Sequence, residues 1–125
     1  MQTLTARTLF QTLSQEAKEY HYIFIEGMPG VGKAALVDSV FRDLSRLDLH
    51  DLHPRNLATT QPSVFFEVYG KSLAINHIEC APDLINHLPA LEDGVFVVMT
   101  GYLPEEAKLK LLETGAAKVY RLMPL

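Results

Sequence analysis

Tyr22-Ile23-Phe24-Ile25-Glu26-Gly27-Met28-Pro29-Gly30-Val31-Gly32-Lys33-Ala34 joins an apolar run, a glycine-rich turn and the start of a helical pattern. The apolar run 22–25 suits a strand buried on both faces, and the glycines and proline that follow end it. Beyond Ala34, the set Leu36, Val37, Val40, Phe41, Leu44 and Leu47 keeps the helical period, with Asp38, Arg42, Asp43 and Arg46 outside it. The turn fits G-x-x-x-x-G-K and lacks only the closing Ser/Thr. Three fixed residues recur by chance in about 3 of 10,000 windows. Glycines let successive backbone N–H groups converge on phosphate oxygens, the helix start adds a positive dipole end, and Lys33 adds a mobile charge. The plainer alternative is a glycine-rich turn with an exposed lysine.

Outward from this segment, residues 5–19 set Leu9, Phe10, Leu13 and Ala17 on one helical stripe with Thr5 as N-cap. Residues 48–61 are polar and read as a loop or a short weak element. The run 64–69 is aromatic and β-branched and predicts a strand, which Gly70-Lys71 turns into a second strand at 73–78; a helix after Gly70 is the alternative. Pro82 opens a short helix, 95–99 is a second buried strand, and Pro104-Glu105-Glu106 opens a helix capped by Gly115. Residues 119–122 close as a strand. Strands alternating with helices predict an α/β fold: one three-layer, doubly wound domain over residues 1–125, with a mostly parallel sheet of about five strands.

Composition narrows the class. A chain of 125 residues, 48% hydrophobic and 21% charged, is proportioned for one globular core and not for disorder. No window approaches the roughly 18 apolar residues of a spanning helix, and the start lacks a secretory signal, so no membrane role is expected and the expected compartment is the cytoplasm. The lone Cys80 agrees with a reducing environment. A net charge of −4 gives no global field for direct nucleic-acid binding.

The segment 25–33 resembles the phosphate loop of P-loop NTPases and looks most like that of AAA+ and related signal-transduction ATPases. The order Leu88-Pro89-Ala90-Leu91-Glu92-Asp93-Gly94, a hydrophobic strand, Glu106-Ala107-Lys108-Leu109-Lys110 and Gly115-Ala116-Ala117-Lys118-Val119 is similar to the ATPase-fold domain of clamp-loader δ-type subunits. The resemblance implies that Gly27, Gly30, Val31, Gly32, Lys33 and Ala34 hold the phosphates of ATP or GTP. In the family a hydroxyl at the position of Ala34 ligates magnesium, which alanine does not do, so magnesium binding is in question and little or no NTPase turnover is expected. The family's second acidic motif ends a hydrophobic strand, which makes Glu67 a candidate metal or water-orienting residue. Thr100 takes the place of a polar sensor. None of Arg42, Arg46, Arg55 and Arg121 has the context of an arginine finger. Tyr120-Arg121-Leu122-Met123-Pro124-Leu125 resembles the passage to a lid, so either the lid lies outside this sequence or the domain never closes over a nucleotide. A protein-interaction or assembly role inside a larger complex follows.

A second resemblance runs through Val97-Val98-Met99-Thr100-Gly101-Tyr102, Glu105-Glu106 and Gly115-Ala116 to the C-terminal half of response-regulator receivers. Without the phospho-acceptor aspartate and the lysine of that family, it implies a pseudo-receiver working by protein contact. His50 and His53 are three apart, as are His77 and Cys80, with His87 nearby. Spacing alone does not make a zinc motif, so they read as solvated or hydrogen-bonded histidines and no metal ligand is assigned. Cys80, with no basic run beside it, reads as buried rather than reactive.

Overall fold

Tyr22–Glu26 is a strand buried at all five positions, as a central strand of a parallel sheet must be. The computed structural model describes residues 2–27 and 33–122. These form β1 (Gln2–Leu4), α1 (Ala6–Glu16), β2 (Tyr22–Glu26), α2 (Lys33–Val40), β3 (Ser45–Asp48), α3 (Leu52–Thr60), α4 (Pro62–Tyr69), β4 (Ser72–Asn76), β5 (Phe96–Gly101), α5 (Glu105–Glu113) and β6 (Ala117–Leu122), with 3-10 segments at Ala17–Glu19, Ile78–Cys80 and Pro82–His87. The strands make one sheet in the order β1-β6-β2-β5-β4-β3, and every pairing is parallel. None of the described helices is long and apolar enough to cross a membrane.

The handedness of parallel crossovers distributes the helices. The steps β1 to β2 and β2 to β3 move one way across the sheet, so α1 and α2 fall on the same face. There Leu9, Leu13, Leu36 and Val37 pack on Ile23, Ile25, Ala74, Val98 and Tyr120. The three later steps move back and put α3, α4 and α5 on the other face. Their residues Ala58, Phe65, Phe66 and Leu111 pack on Tyr22, Phe24, Leu73, Ile75, Val97, Met99 and Val119. Alternate residues of β2, β4 and β5 thus enter opposite cores, the period-2 rule of a strand covered on both sides. Thr5 caps α1 by accepting the Thr8 N–H, and the Tyr120 hydroxyl donates to Glu16 Oε2 at 3.0 Å, tying the end of α1 to β6.

The expected α/β class, three layers and parallel sheet are present, with six strands where about five were expected. Three segments differ from expectation. The run 64–69 is not a strand but most of α4. Pro62 pre-sets the first turn, and Gly70, at φ 101, ends the helix with its N–H on the Phe66 carbonyl. Strand alternation would put Glu67 on the same face as Phe65 and Tyr69. The helix instead buries Phe65 and Phe66, sets the Phe65 and Tyr69 rings 4.9 Å apart and leaves Glu67 exposed. The expected helix to Leu47 stops at Val40, and Ser45–Asp48 extends to pair with β4, because a longer helix would leave the β4 edge unpaired. The polar stretch 48–61 contains α3. Pro54 and Ala58 form its buried stripe, while Thr59 and Thr60 return their hydroxyls to the carbonyls of Arg55 and Asn56 at 2.9 and 2.7 Å.

Candidate phosphate site

The helices that follow β2 and β5, α2 and α5, lie on opposite faces, so a crevice opens between the carboxyl ends of these neighbouring strands, the usual ligand position in open α/β sheets. Gly27 follows β2 directly and is buried; Lys33 and Ala34 form the first turn of α2. Met28, Pro29, Gly30, Val31 and Gly32 lie outside the described residues, as do the side chains of Lys33 and Ala34. Residues 123–125, at the expected passage to a lid, lie outside them too.

The last residue of β2 is a buried carboxylate held by two cations. Glu26 Oε1 accepts from Lys108 Nζ at 3.1 Å, and Oε2 accepts from Arg121 Nη2 at 2.9 Å and Nε at 3.2 Å. Glu26 and Lys108 are each 6% exposed. Lys108 also pairs with Glu105 at 2.9 Å. Burial pushes the Glu26 carboxyl up, but the hydrogen bonds and charges of Arg121 and Lys108 outweigh it and hold the group below its ordinary range. For Lys108 burial works downward, and Glu105 and Glu26 reverse it, so the ammonium is held above its ordinary range. A carboxylate so engaged is structural and is no free general base. No local spacing points to these pairings.

Thr100 is 3% exposed and lies opposite Ile25 in the register. It has the parity of Val98, which points it to the face covered by α2. Its hydroxyl donates to Asn76 Oδ1 at 2.8 Å, so Thr100 bridges the ends of β5 and β4. The strand beside β5 thus ends on an amide. Glu67, expected at a strand end, is exposed on α4 on the opposite side of the sheet from α2. The fold does not bring it to Thr100, because the run that carries it is helical.

A different carboxylate occupies this end of the sheet. Glu79, on the 3-10 segment after β4, accepts from the Tyr102 N–H at 3.2 Å and lies 3.0 Å from His77 Nδ1. It packs directly on Gly101, where a Cβ would collide with Glu79 Oε1. Gly101 sits at φ +128, a conformation that L side chains rarely adopt. Gly101→Ala is therefore expected to cost about 1–3 kcal/mol in unfolding free energy and to displace Glu79. Urea denaturation of the two chains measures it, and equal midpoints would show that the backbone relaxes freely there.

The fold also brings together residues that their spacing left unassigned. The His50 and His77 rings stack with centroids 3.5 Å apart, with Asp48 and Cys80 close by. His87 is elsewhere, 3.4 Å from Asp83. At the opposite, amino end of the sheet a cavity of about 590 Å³ is bordered by Leu13, Ala17, Phe41, Val95 and Phe96. Among the described residues Lys18 is its one charged lining residue and the His21 ring is engaged by the Val95 carbonyl, so the converging polar groups described above lie at the carboxyl end instead.

No protein-family model matches the chain, and no curated protein matches it in sequence.

Proposed function

We propose that the chain is a degenerate phosphate-loop domain of AAA+-like type that binds ATP or GTP weakly, has no complete magnesium site and works mainly through protein contacts within a larger cytoplasmic assembly. The observation that supports this reading is the coincidence of motif and topology: the G-x-x-x-x-G-K motif begins at Gly27, directly after β2, and ends at Lys33, where α2 begins, and β2 borders the crevice beside β5. Gly27, Gly30, Val31, Gly32, Lys33 and Ala34 would hold the phosphates through backbone N–H groups, the α2 dipole and the Lys33 charge. The magnesium part of such a site fits poorly, since Ala34 has no hydroxyl and β4 ends on Asn76, whose oxygen is engaged by Thr100. With Glu26 neutralised by Lys108 and Arg121 and Glu67 remote, turnover of the isolated chain is expected at background.

Strand order favours this reading over a pseudo-receiver. Receiver-type sheets follow the order 2-1-3-4-5, in which the first strand lies between the second and third. Here β2, which leads into the motif, lies between β5 and β6.

Calorimetric titration of the full chain with ATP and with GTP, each in magnesium and in chelator, tests the reading. Dissociation constants on the order of 0.1–1 mM, unchanged by chelation, are expected. Absence of binding by either nucleotide at millimolar concentration would sink it.

A further inference from the structure

The parallel pairing of β3 with β4 sets Asp48 opposite Asn76, and the Leu49 N–H continues the ladder to the Asn76 carbonyl at 3.1 Å. Both chains then turn at the carboxyl edge of the sheet, which carries His50 over His77. From this juxtaposition we propose that Asp48, His50 and His77 bind a divalent transition-metal ion of the zinc class, with Glu79 as the positioning residue for His77.

The ligand atoms of Asp48, His50 and His77 all lie within 4.8 Å of one another, and His77 Nε2 is 4.0 Å from Asp48 Oδ1. Zinc, at about 2.0–2.1 Å from each donor, needs its ligand atoms roughly 3.3 Å apart. The required closure is at most about 1.5 Å, at side chains that are at least partly exposed. His50 is exposed, so its ring is free to turn off the stack and present a nitrogen. Asp48 Oδ1 accepts the backbone N–H of His50 at 2.9 Å, and a carboxylate oxygen has a further lone pair with which to hold an ion.

Glu79 prepares the second histidine. An ionised carboxylate only accepts, so the 3.0 Å contact assigns the proton to His77 Nδ1. In the neutral ring the Nε2 lone pair then lies on the side of Asp48, 4.0 Å from Oδ1, the carboxylate–histidine–metal arrangement that orients imidazole ligands. Glu79 is in turn held by the Tyr102 N–H. His77 adopts φ 62, ψ 50, a left-handed conformation that costs a non-glycine residue energy. The strained residue is the one whose ring must lie over His50. Two imidazoles and one carboxylate suit zinc, nickel, cobalt or copper rather than magnesium or calcium.

Cys80 belongs to an overlapping set with His50 and Glu79. That set would need Glu79, whose two oxygens are already engaged by His77 Nδ1 and the Tyr102 N–H, so the histidine–aspartate set is the site and its fourth position is left to water. None of these residues belongs to the phosphate motif, and the proposal does not depend on the nucleotide reading.

The test is calorimetric titration of the full chain with zinc chloride, repeated with cobalt(II) followed by visible absorption. One ion per chain is expected with a dissociation constant on the order of 1 μM. His50→Ala and His77→Ala should each weaken binding more than about tenfold, with folding checked by circular dichroism. Glu79→Ala should weaken it about 10–100-fold; Glu79→Gln, which keeps an acceptor oxygen for His77 Nδ1–H, should retain more affinity. His53→Ala, His87→Ala and Cys80→Ser should bind as wild type, and cobalt should show no thiolate charge-transfer band. The proposal is overturned by absence of stoichiometric binding, by unchanged affinity in His50→Ala or His77→Ala, or by loss in Cys80→Ser.

Discussion

Glu26→Ala is expected to lower the unfolding free energy by about 3 kcal/mol, the lower part of the range for breaking a buried ion pair. Removing the carboxylate leaves the Lys108 ammonium buried without its inner partner. Glu105, exposed and 2.9 Å away, remains to screen it, which is why the upper part of the range is not reached. Arg121, half exposed, turns to solvent at little cost. The penalty comes from the stranded charge rather than from the worth of the pair, so Glu26→Leu combined with Lys108→Met should recover most of the loss. Urea midpoints of the wild type, Glu26→Ala and the double variant measure it. A double variant as unstable as Glu26→Ala alone would show that the carboxylate does something other than neutralise Lys108.

The same network sets a pH window. The Glu26 carboxyl is held below its unfolded value, so its contribution is complete above about pH 5 and is lost as pH falls through the lowered folded value. Lys108 is held above its unfolded value, so its contribution is complete at neutral pH and is lost only as pH rises through that higher folded value. The gap between wild type and Glu26→Ala should accordingly be widest near neutrality and shrink in acid.

What could be seen in the sequence was what is contiguous in it. β2 and β5 announce themselves because strands covered on both faces are unbroken apolar runs, and the phosphate motif is a local pattern by nature. β3 could not be seen, because Ser45–Asp48 is extended only through its pairing with β4. α4 misled in the opposite way. Its aromatic and β-branched residues favour a strand, yet Pro62 and Gly70 frame a helical turn count, and helical spacing lets Phe65 and Phe66 go inward together. The site residues that were missed meet across long separations, 82 residues from Glu26 to Lys108 and 95 to Arg121. No spacing rule reaches that far. His50 was paired with His53 on spacing, whereas parallel strand pairing brings it to His77.

Lys33→Ala is expected to weaken ATP binding about 10–100-fold, enough to abolish it in practice for a site that starts near millimolar. A charge-assisted hydrogen bond to a phosphate contributes about 1.5–3 kcal/mol, and each 1.4 kcal/mol is about a factor of ten in affinity. Backbone donors and the helix dipole survive the substitution, so inorganic phosphate should lose less than ATP. Ala34→Thr changes the same helix turn in the opposite sense. It adds the hydroxyl that magnesium lacks, at a helix-propensity cost of a few tenths of a kcal/mol, so the fold is retained and any change in binding reports on site chemistry. Affinity for ATP should then rise on adding magnesium and fall in chelator, whereas the wild-type chain responds to neither. Titration of the three chains under both conditions measures this. If Lys33→Ala binds ATP as tightly as the wild type, the nucleotide sits elsewhere and the phosphate-loop reading fails. If Lys33→Ala loses binding but Ala34→Thr stays insensitive to magnesium, the loop holds phosphate in a geometry that no metal shares, and Asn76 at the end of β4 becomes the next residue to restore to a carboxylate.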